Sequence, residues 1–161
     1  MASTFSTDLK LELMATGENA GTWGTKTNTN LNLVQQAVAG YESINITATT
    51  VALAMNDGAI SQARNMILDF AGTLAGATNV TVPNSIEKMY MVKDSTTHGT
   101  STITMKTASG SGFNLSEGKV HLAYSNGTNL SNVDLSTLGG TITTASIADN
   151  AITSAKISDN Q

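Results

Sequence analysis

The central part of the chain, residues 64–133, alternates between apolar and polar positions with a period of two. Alternation over four to eight residues predicts short β-strands that turn one face toward a core. The pattern recurs in several runs along this part of the chain. The side chains predicted to face the core are Met66, Leu68, Phe70, Val80, Val82, Ile103, Met105, Val120, Leu122 and Tyr124.

Turn signals separate these runs. Asn126-Gly127 favours a type I′ hairpin turn, because both central residues of that turn have a positive φ. The run at residues 80–82 stops at Pro83, the only proline of the chain. Short strands divided by such regular turns indicate an antiparallel β-sandwich or a jelly roll. We therefore predict a mainly β fold, with the β-sandwich module over residues 44–134.

One short helix is predicted before this module. Leu31, Val34 and Val38 form an i, i+3, i+7 apolar stripe. Asn30 is suited to the N-cap and Gly40 to the position just after the helix. A helix of about ten residues is too short to be stable alone in water. We therefore expect its apolar stripe to lie on the sheet.

The segment ahead of this helix, residues 17–30, is predicted to be a loop, because Gly, Thr and Asn dominate its composition. It contains Trp23, the only tryptophan, with a glycine on either side at positions 21 and 24. A tryptophan in such a loop needs an apolar pocket. Two alternatives remain open: Trp23 fills a local core of its own chain, or it docks against another subunit. Residues 1–43 are interpreted as a separate N-terminal segment.

The character of the chain changes again over residues 135–161, where a hinge precedes a ten-residue repeat. Residues 142–151 and 152–161 are identical at six of ten positions. Isoleucine recurs every five residues, at Ile142, Ile147, Ile152 and Ile157. A unit this poor in apolar mass cannot bury its isoleucines alone and needs neighbouring repeats or chains. The alternative is a disordered tail.

Composition excludes several classes of function. The net charge is −4 with no basic run, which argues against a nucleic-acid partner. The chain has no cysteine, so neither a disulfide framework nor a thiolate metal site is possible. The sequence has no run of eighteen apolar residues, so no membrane-spanning segment is predicted. Only 12% of residues are charged, which suits a protein that completes its core by assembly.

The sequence offers no clear candidates for catalytic residues. His98 and His121 are the only histidines, and neither has metal-ligand spacing to a second ligand. Both are interpreted as solvated imidazoles. No nucleophile elbow and no phosphate-binding glycine loop is present. We therefore predict a protein that is not an enzyme and binds no cofactor.

Two stretches resemble virion proteins of tailed bacteriophages, particularly phages of marine bacteria and cyanobacteria. Residues 15–44 resemble the opening of their tail-fibre and related structural proteins, through Gly-Thr-Trp-Gly at 21–24, the Asn28 and Asn30 pair and the helix that follows. Residues 64–132 resemble the β module that follows in those proteins. The matched motifs are ARN at 63–65, GTL at 72–74, VTVP at 80–83, KMYMV at 88–92, KTASGSG at 106–112 and SNGTNL at 125–130. The isoleucine repeats are similar to the shafts of trimeric phage fibres.

This resemblance implies a structural component of the virion, located on the phage particle. The N-terminal region would attach a fibre to a protein of the tail, head or neck. Three chains would form a homotrimer, and residues 135–161 would begin its fibre shaft. The implied docking residues are Trp23, Asn28, Asn30, Leu31 and Val34, and the implied trimer-axis residues are Ile142, Ile147, Ile152 and Ile157.

Two rival functions use the same predicted fold. A carbohydrate-binding β-sandwich would present exposed aromatic side chains, but those of this chain are few and dispersed. A polysaccharide depolymerase would need paired carboxylates in a groove, and the acidic residues are scattered. The aromatic candidates are Trp23, Tyr41, Tyr90, Phe113 and Tyr124.

Overall fold

The structure is a computed structural model that describes residues 2–133. Strands dominate this part of the chain, so the predicted mainly β fold class is confirmed. The described residues include one α-helix, α1 (Trp23–Ala39), and one 3-10 turn (Gln62–Arg64). The strands are β1 (Thr4–Phe5), β2 (Glu12–Leu13), β3 (Tyr41–Asn45), β4 (Thr50–Ala52), β5 (Ile67–Thr73), β6 (Thr78–Val82), β7 (Glu87–Thr97), β8 (Ile103–Thr107), β9 (Gly112–Asn114), β10 (Val120–Asn126) and β11 (Leu130–Asn132).

Two larger sheets share one core. The five-stranded sheet has the order β11-β10-β7-β5-β3, and the four-stranded sheet has the order β4-β6-β8-β9. The period-two alternation places every second side chain of each strand between the sheets. The core residues from the five-stranded sheet include Ile44, Leu68, Phe70, Tyr90, Val92 and Ala123, and those from the four-stranded sheet include Val80, Val82, Ile103 and Met105.

The predicted antiparallel arrangement is wrong for the middle of both sheets. The chain alternates between the sheets as it advances, so β3, β5 and β7 are parallel neighbours in one sheet. In the same way β4, β6 and β8 are parallel neighbours in the other. Parallel strands need a crossover of a dozen or more residues. Here each crossover contains a strand of the opposite sheet. Short polar turns can connect strands of two different sheets as well as the two strands of a hairpin, so the turn signals did not distinguish the two arrangements.

Antiparallel pairing is limited to the last strands of each sheet and to the small β1–β2 pair. The chain reverses after β8, and β9 returns beside it. The chain turns at Asn126-Gly127 between β10 and β11, so the predicted hairpin is confirmed. The predicted type I′ turn is wrong, because Asn126 does not have a positive φ. Gly127 has a φ of +81°, and the Asn126 amide N–H donates to Asn129 O across the turn at 3.1 Å.

The helix is longer than predicted: it begins at Trp23, eight residues before Leu31, which an N-cap at Asn30 would make the first helical residue. Asn30 therefore lies inside α1, and the prediction that it caps the helix is wrong. Thr22 occupies the N-cap position. Gly40 follows the helix as predicted, but its φ is −68°, so a left-handed turn is not the reason for glycine there. A Cβ at Gly40 would collide with Gln36 O and with the side chain of Asn65.

One predicted core stripe faces the wrong way. Val120, Leu122 and Tyr124 were expected to point into the core, but Ala123 and Ser125 of β10 are the fully buried residues. Val120 and Tyr124 are exposed on the opposite side of the sheet. The small Ala123 and Ser125 side chains fit between the sheets, and Ser125 Oγ donates to Ile86 O at 2.7 Å.

The C-terminal predictions lie outside the described residues. These predictions are the fibre-shaft repeat over residues 135–161 and the axis positions Ile142, Ile147, Ile152 and Ile157. The division into residues 1–43, 44–134 and 135–161 stays a prediction. Its first boundary falls within β3, which runs across residues 43 and 44.

Candidate docking site

An exposed apolar stripe runs along α1. At 100° per residue, positions 23, 31, 34 and 38 fall on one side of a helix. Trp23 is 65% exposed, Leu31 61% and Val38 71%, and Val34 is exposed as well. The buried residues of the helix are instead Leu33 and Ala37, on an adjacent side. The prediction that the Leu31, Val34 and Val38 stripe lies on the sheet is therefore wrong.

Polar contacts hold the first half of α1 to the N-terminal strands. Lys26 Nζ lies 2.8 Å from Glu12 Oε2. This hydrogen bond from Lys26 is the main reason that the pKa of Glu12 is lowered. Asn30 binds the backbone of the same residue twice, since its Oδ1 accepts from Glu12 N at 3.0 Å and its Nδ2 donates to Glu12 O at 2.8 Å. These contacts explain why a segment with a loop-like composition is helical.

The second half of α1 rests on the turn that precedes β5. Leu33 and Ala37 are buried there. Gln36 Nε2 donates to Ser61 O at 3.2 Å. Because one side of the helix is fixed by these contacts, the orientation of the exposed stripe is defined relative to the rest of the described chain.

The buried side chain of Arg64 connects the N-terminal segment to the turn that precedes β5. The side chain is fully buried and faces backbone carbonyls rather than a carboxylate. Nε donates to Leu9 O at 3.0 Å, and Nη2 donates to Asn56 O at 2.7 Å. Nη1 donates to Ala59 O and to Ser61 Oγ. Burial lowers the pKa of Arg64, with Asp57 opposing that effect.

The structure brings most of the predicted docking residues to one surface. Trp23, Leu31 and Val34 lie on the exposed stripe, and Asn28 is exposed in the same helix. The alternative in which Trp23 fills a local core is wrong, because its side chain is largely in solvent. Asn30 differs from the others, since its amide is already bound to Glu12.

A buried acid–imidazole pair was missed by the sequence analysis. Asp94 is fully buried, and its Oδ2 lies 2.7 Å from His98 Nε2. Its Oδ1 accepts from Thr96 Oγ1 at 2.6 Å and from Thr96 N at 3.0 Å. The interpretation of His98 as a solvated imidazole is therefore wrong. Positions 94, 96 and 98 have the same parity along an extended chain, and this was the signal that could have revealed the cluster.

His121 is also engaged. Its Nε2 accepts from Ser116 N at 3.0 Å, and its ring lies 5.7 Å from that of Phe113. In neither histidine cluster is a hydroxyl nucleophile hydrogen-bonded to the imidazole. Each arrangement ties a loop to a strand.

One concavity among the described residues has a polar lining. A cleft of about 510 Å³ lies between the N-terminal segment and the β10–β11 turn, with Asp8, Ser85, Glu87 and Thr128 among its lining residues. Asp8 Oδ1 accepts from Glu87 N at 2.8 Å, so this carboxylate already joins the N-terminal segment to the start of β7. Within residues 2–133, no cluster of three or more metal-ligating side chains occurs. The described helices include none long and apolar enough to span a membrane.

Comparisons with protein-family models, with curated proteins and with solved structures find no match to this chain. The docking site is therefore defined by its own geometry. It consists of an ordered helix that is fixed on one side and presents an uncovered tryptophan and three aliphatic residues on another.

Proposed function

We propose that the protein is a structural component of a bacteriophage virion, which attaches a trimeric fibre to the tail, head or neck through its N-terminal region. The observation that carries this proposal is the exposed stripe of α1. Trp23, Leu31, Val34 and Val38 place a large apolar surface in solvent on a helix that the fold has already oriented. Apolar residues on one helical face are the usual means by which a helix docks into a groove of another protein.

The chemistry of the stripe defines its partner. Tryptophan is enriched among residues that dominate binding energy, because a single side chain removes a large area from water. The partner surface is therefore an apolar groove on another virion protein. The polar contacts of Lys26, Asn30 and Gln36 keep the helix ordered before docking, so little ordering entropy opposes binding.

Incorporation into particles tests this proposal. Trp23→Ala should sharply reduce the amount of the protein in purified virions and leave the far-UV circular dichroism of the purified protein unchanged. Ile60→Ala is the matched control, since Ile60 is also a largely exposed apolar residue but lies beside Gln36, on another side of α1 from the stripe. Normal incorporation of the Trp23→Ala protein would overturn the docking role of the helix.

A carbohydrate-binding module is the second candidate. Tyr41 and Tyr124 both lie exposed on the outer side of the five-stranded sheet. They are separated by β5 and β7, a distance of roughly 14 Å at the usual strand spacing. Glycan-array binding that is lost in a Tyr41→Ala, Tyr124→Ala double variant would favour this function over attachment.

A further inference from the structure

Part of the outer face of the five-stranded sheet is apolar. It presents alternate side chains of four strands, opposite to those in the core. Val120 is 59% exposed and Tyr41 58%. Met89, Met91 and Tyr124 are each exposed by 40% or slightly more. We call this surface the Met face; its members are Tyr41, Ile67, Met89, Met91, Val120, Leu122 and Tyr124.

Strand register makes the Met face continuous. Met91 of β7 is paired with Ile67 of β5 on one side and with Leu122 of β10 on the other. Ile67 is in turn paired with Tyr41 of β3. Met89 is paired with Tyr124 in the next row. Side chains that face each other across strands at this spacing are in contact, so the members form one patch.

Charge in the middle of this face is already neutralised. Asp69 Oδ2 lies 3.1 Å from Lys93 Nζ and accepts from the Tyr41 hydroxyl at 2.9 Å. The network spans β3, β5 and β7. A buried unpaired charge is costly, whereas a pair with additional hydrogen bonds tolerates burial. The Met face could therefore be covered without leaving a lone charge inside the interface.

The outer face of the four-stranded sheet is the opposite. Strand register again defines two rows of side chains on this face. The first row is Thr50, Asn79, Thr104 and Asn114, and the second row is Ala52, Thr81, Lys106 and Gly112. Hydroxyls and amides predominate there, and Thr104 Oγ1 donates to Asn114 Oδ1 at 2.7 Å. Two faces of one sandwich that differ this much in polarity indicate that only the polar face is suited to remain in water.

The position at which the described chain ends supports one occupant for the Met face. Val133 N donates to Leu122 O at 2.7 Å, so the last described residue lies on the edge of the five-stranded sheet beside a member of the Met face. The next segment, residues 134–161, contains the isoleucine repeat that is predicted to lie on a shared axis. Eight residues, 134–141, separate this edge from Ile142 and can span at most about 29 Å, so chains that meet along the predicted axis hold their sheet edges within reach of one another.

We infer that the Met face packs against the Met faces of other copies of this chain. This inference rests on the proposed trimer and names the surface that forms it. Methionine and tyrosine are enriched in the centres of protein interfaces, where charged residues are depleted. The stripe of α1 stays free for the virion partner, so assembly of copies and attachment to the particle use separate surfaces.

Sedimentation of the full-length protein tests the inference. The wild type should sediment as a trimer over a range of concentrations. Met91→Lys should weaken self-association by about 100-fold or more, because the substituted residues of different copies bring like charges into one interface. Met89→Lys is the second variant, in case Met91→Lys impairs folding as judged by circular dichroism.

Two matched controls separate this surface from the rest. Thr104→Lys places the same charge on the four-stranded sheet, and Val38→Lys places it on α1; both should leave the trimer intact. A wild type that remains monomeric, or folded Met91→Lys and Met89→Lys proteins that sediment as the wild type does, would overturn the inference. Loss of particle incorporation without loss of self-association would instead concern the α1 stripe, so the two proposals fail separately.

Discussion

The central strands of the two sheets, β7 and β8, distribute polarity in opposite ways. In β8, Ile103 and Met105 are buried while Thr104 and Lys106 point outward. In β7, Lys88 and Asp94 lie on the buried side of the strand, while Met89 and Met91 are exposed on the other side. The first strand follows the usual arrangement of a monomeric sandwich. The second has charge inside and apolar side chains outside.

The interior charges of β7 are satisfied by specific contacts. Lys88 Nζ donates to Asn65 O and to Met89 O, each at 3.0 Å, and lies 4.2 Å from the centre of the Tyr90 ring. Asp94 is bound by Thr96 and His98. These contacts fix the register of β7, but buried charges contribute little net stability. In the proposed assembly, β8 is stabilised within one chain, whereas β7 completes its burial against other copies.

The largest effect is expected at Asp94. Asp94→Ala removes the acceptor for three hydrogen bonds and leaves the buried Thr96 N–H unpaired, so the free energy of unfolding should fall by about 3 kcal/mol. Asp94→Asn is the control, because its amide can still accept from Thr96. Urea unfolding measures both variants. Equal stability of Asp94→Ala and the wild type would mean that the charge inside β7 is not structural.

A pH dependence is expected from Lys88. Burial lowers the pKa of Lys88 to about 8, whereas a lysine in the unfolded chain has a pKa of about 10.4. Between these values the unfolded chain binds more protons than the folded chain, so stability rises with pH. The rise between pH 8 and 10 should be about 2 kcal/mol and should disappear in Lys88→Met. Lys106→Met should retain it, and a flat profile in the wild type would contradict the burial of a charged amine.

A smaller effect is expected at Asp69, beside the Met face. Burial acts to raise the pKa of Asp69, but hydrogen bonds from Ser95, Lys93 and Tyr41 outweigh it and the pKa is lowered. Asp69 therefore stabilises the fold above its unfolded pKa, and this contribution is lost as the pH falls through the folded value.

Asp69→Ala should cost about 1 kcal/mol in the dissociated protein, since Lys93 is half-exposed. On the opposite sheet, Thr104→Val should change stability by less than about 0.5 kcal/mol. Thermal unfolding at pH 7 compares the two. A loss at Thr104 as large as that at Asp69 would remove the contrast between the outer faces.

The sequence predicted the strands whose two sides differ clearly in polarity. Leu68 and Phe70, Val80 and Val82, and Ile103 and Met105 face the core as their alternation indicated. β7 was not predictable in this way, because Lys88 and Asp94 share one parity while Glu87 and Lys93 share the other. The parallel order was also hidden, since it depends on which distant strands become neighbours.

The docking role of the candidate residues stays a prediction, and the helical structure of those before Leu31 was not foreseen from the sequence. Trp23 and Leu31 were identified from the sequence, yet the extent of α1 depends on contacts of Lys26 and Asn30 with Glu12, which are distant in sequence. The alternation of β10 was recognised, but its apolar side was assigned to the core. A sequence pattern shows that one side of a strand must be covered and does not show whether the same chain covers it.

Distances between copies test the central claim most directly. The chain has no cysteine, so Met91→Cys and Thr104→Cys each provide a single site for a spin label in the full-length protein. If Met faces pack together, labels at residue 91 should be closer than labels at residue 104 by on the order of 20 Å, because a sheet spacing of about 10 Å is added on each side. Pulsed electron–electron double resonance on the assembled protein measures the label-to-label distance for each of the two variants. Shorter distances at residue 104, or no measurable coupling at residue 91, would contradict the account.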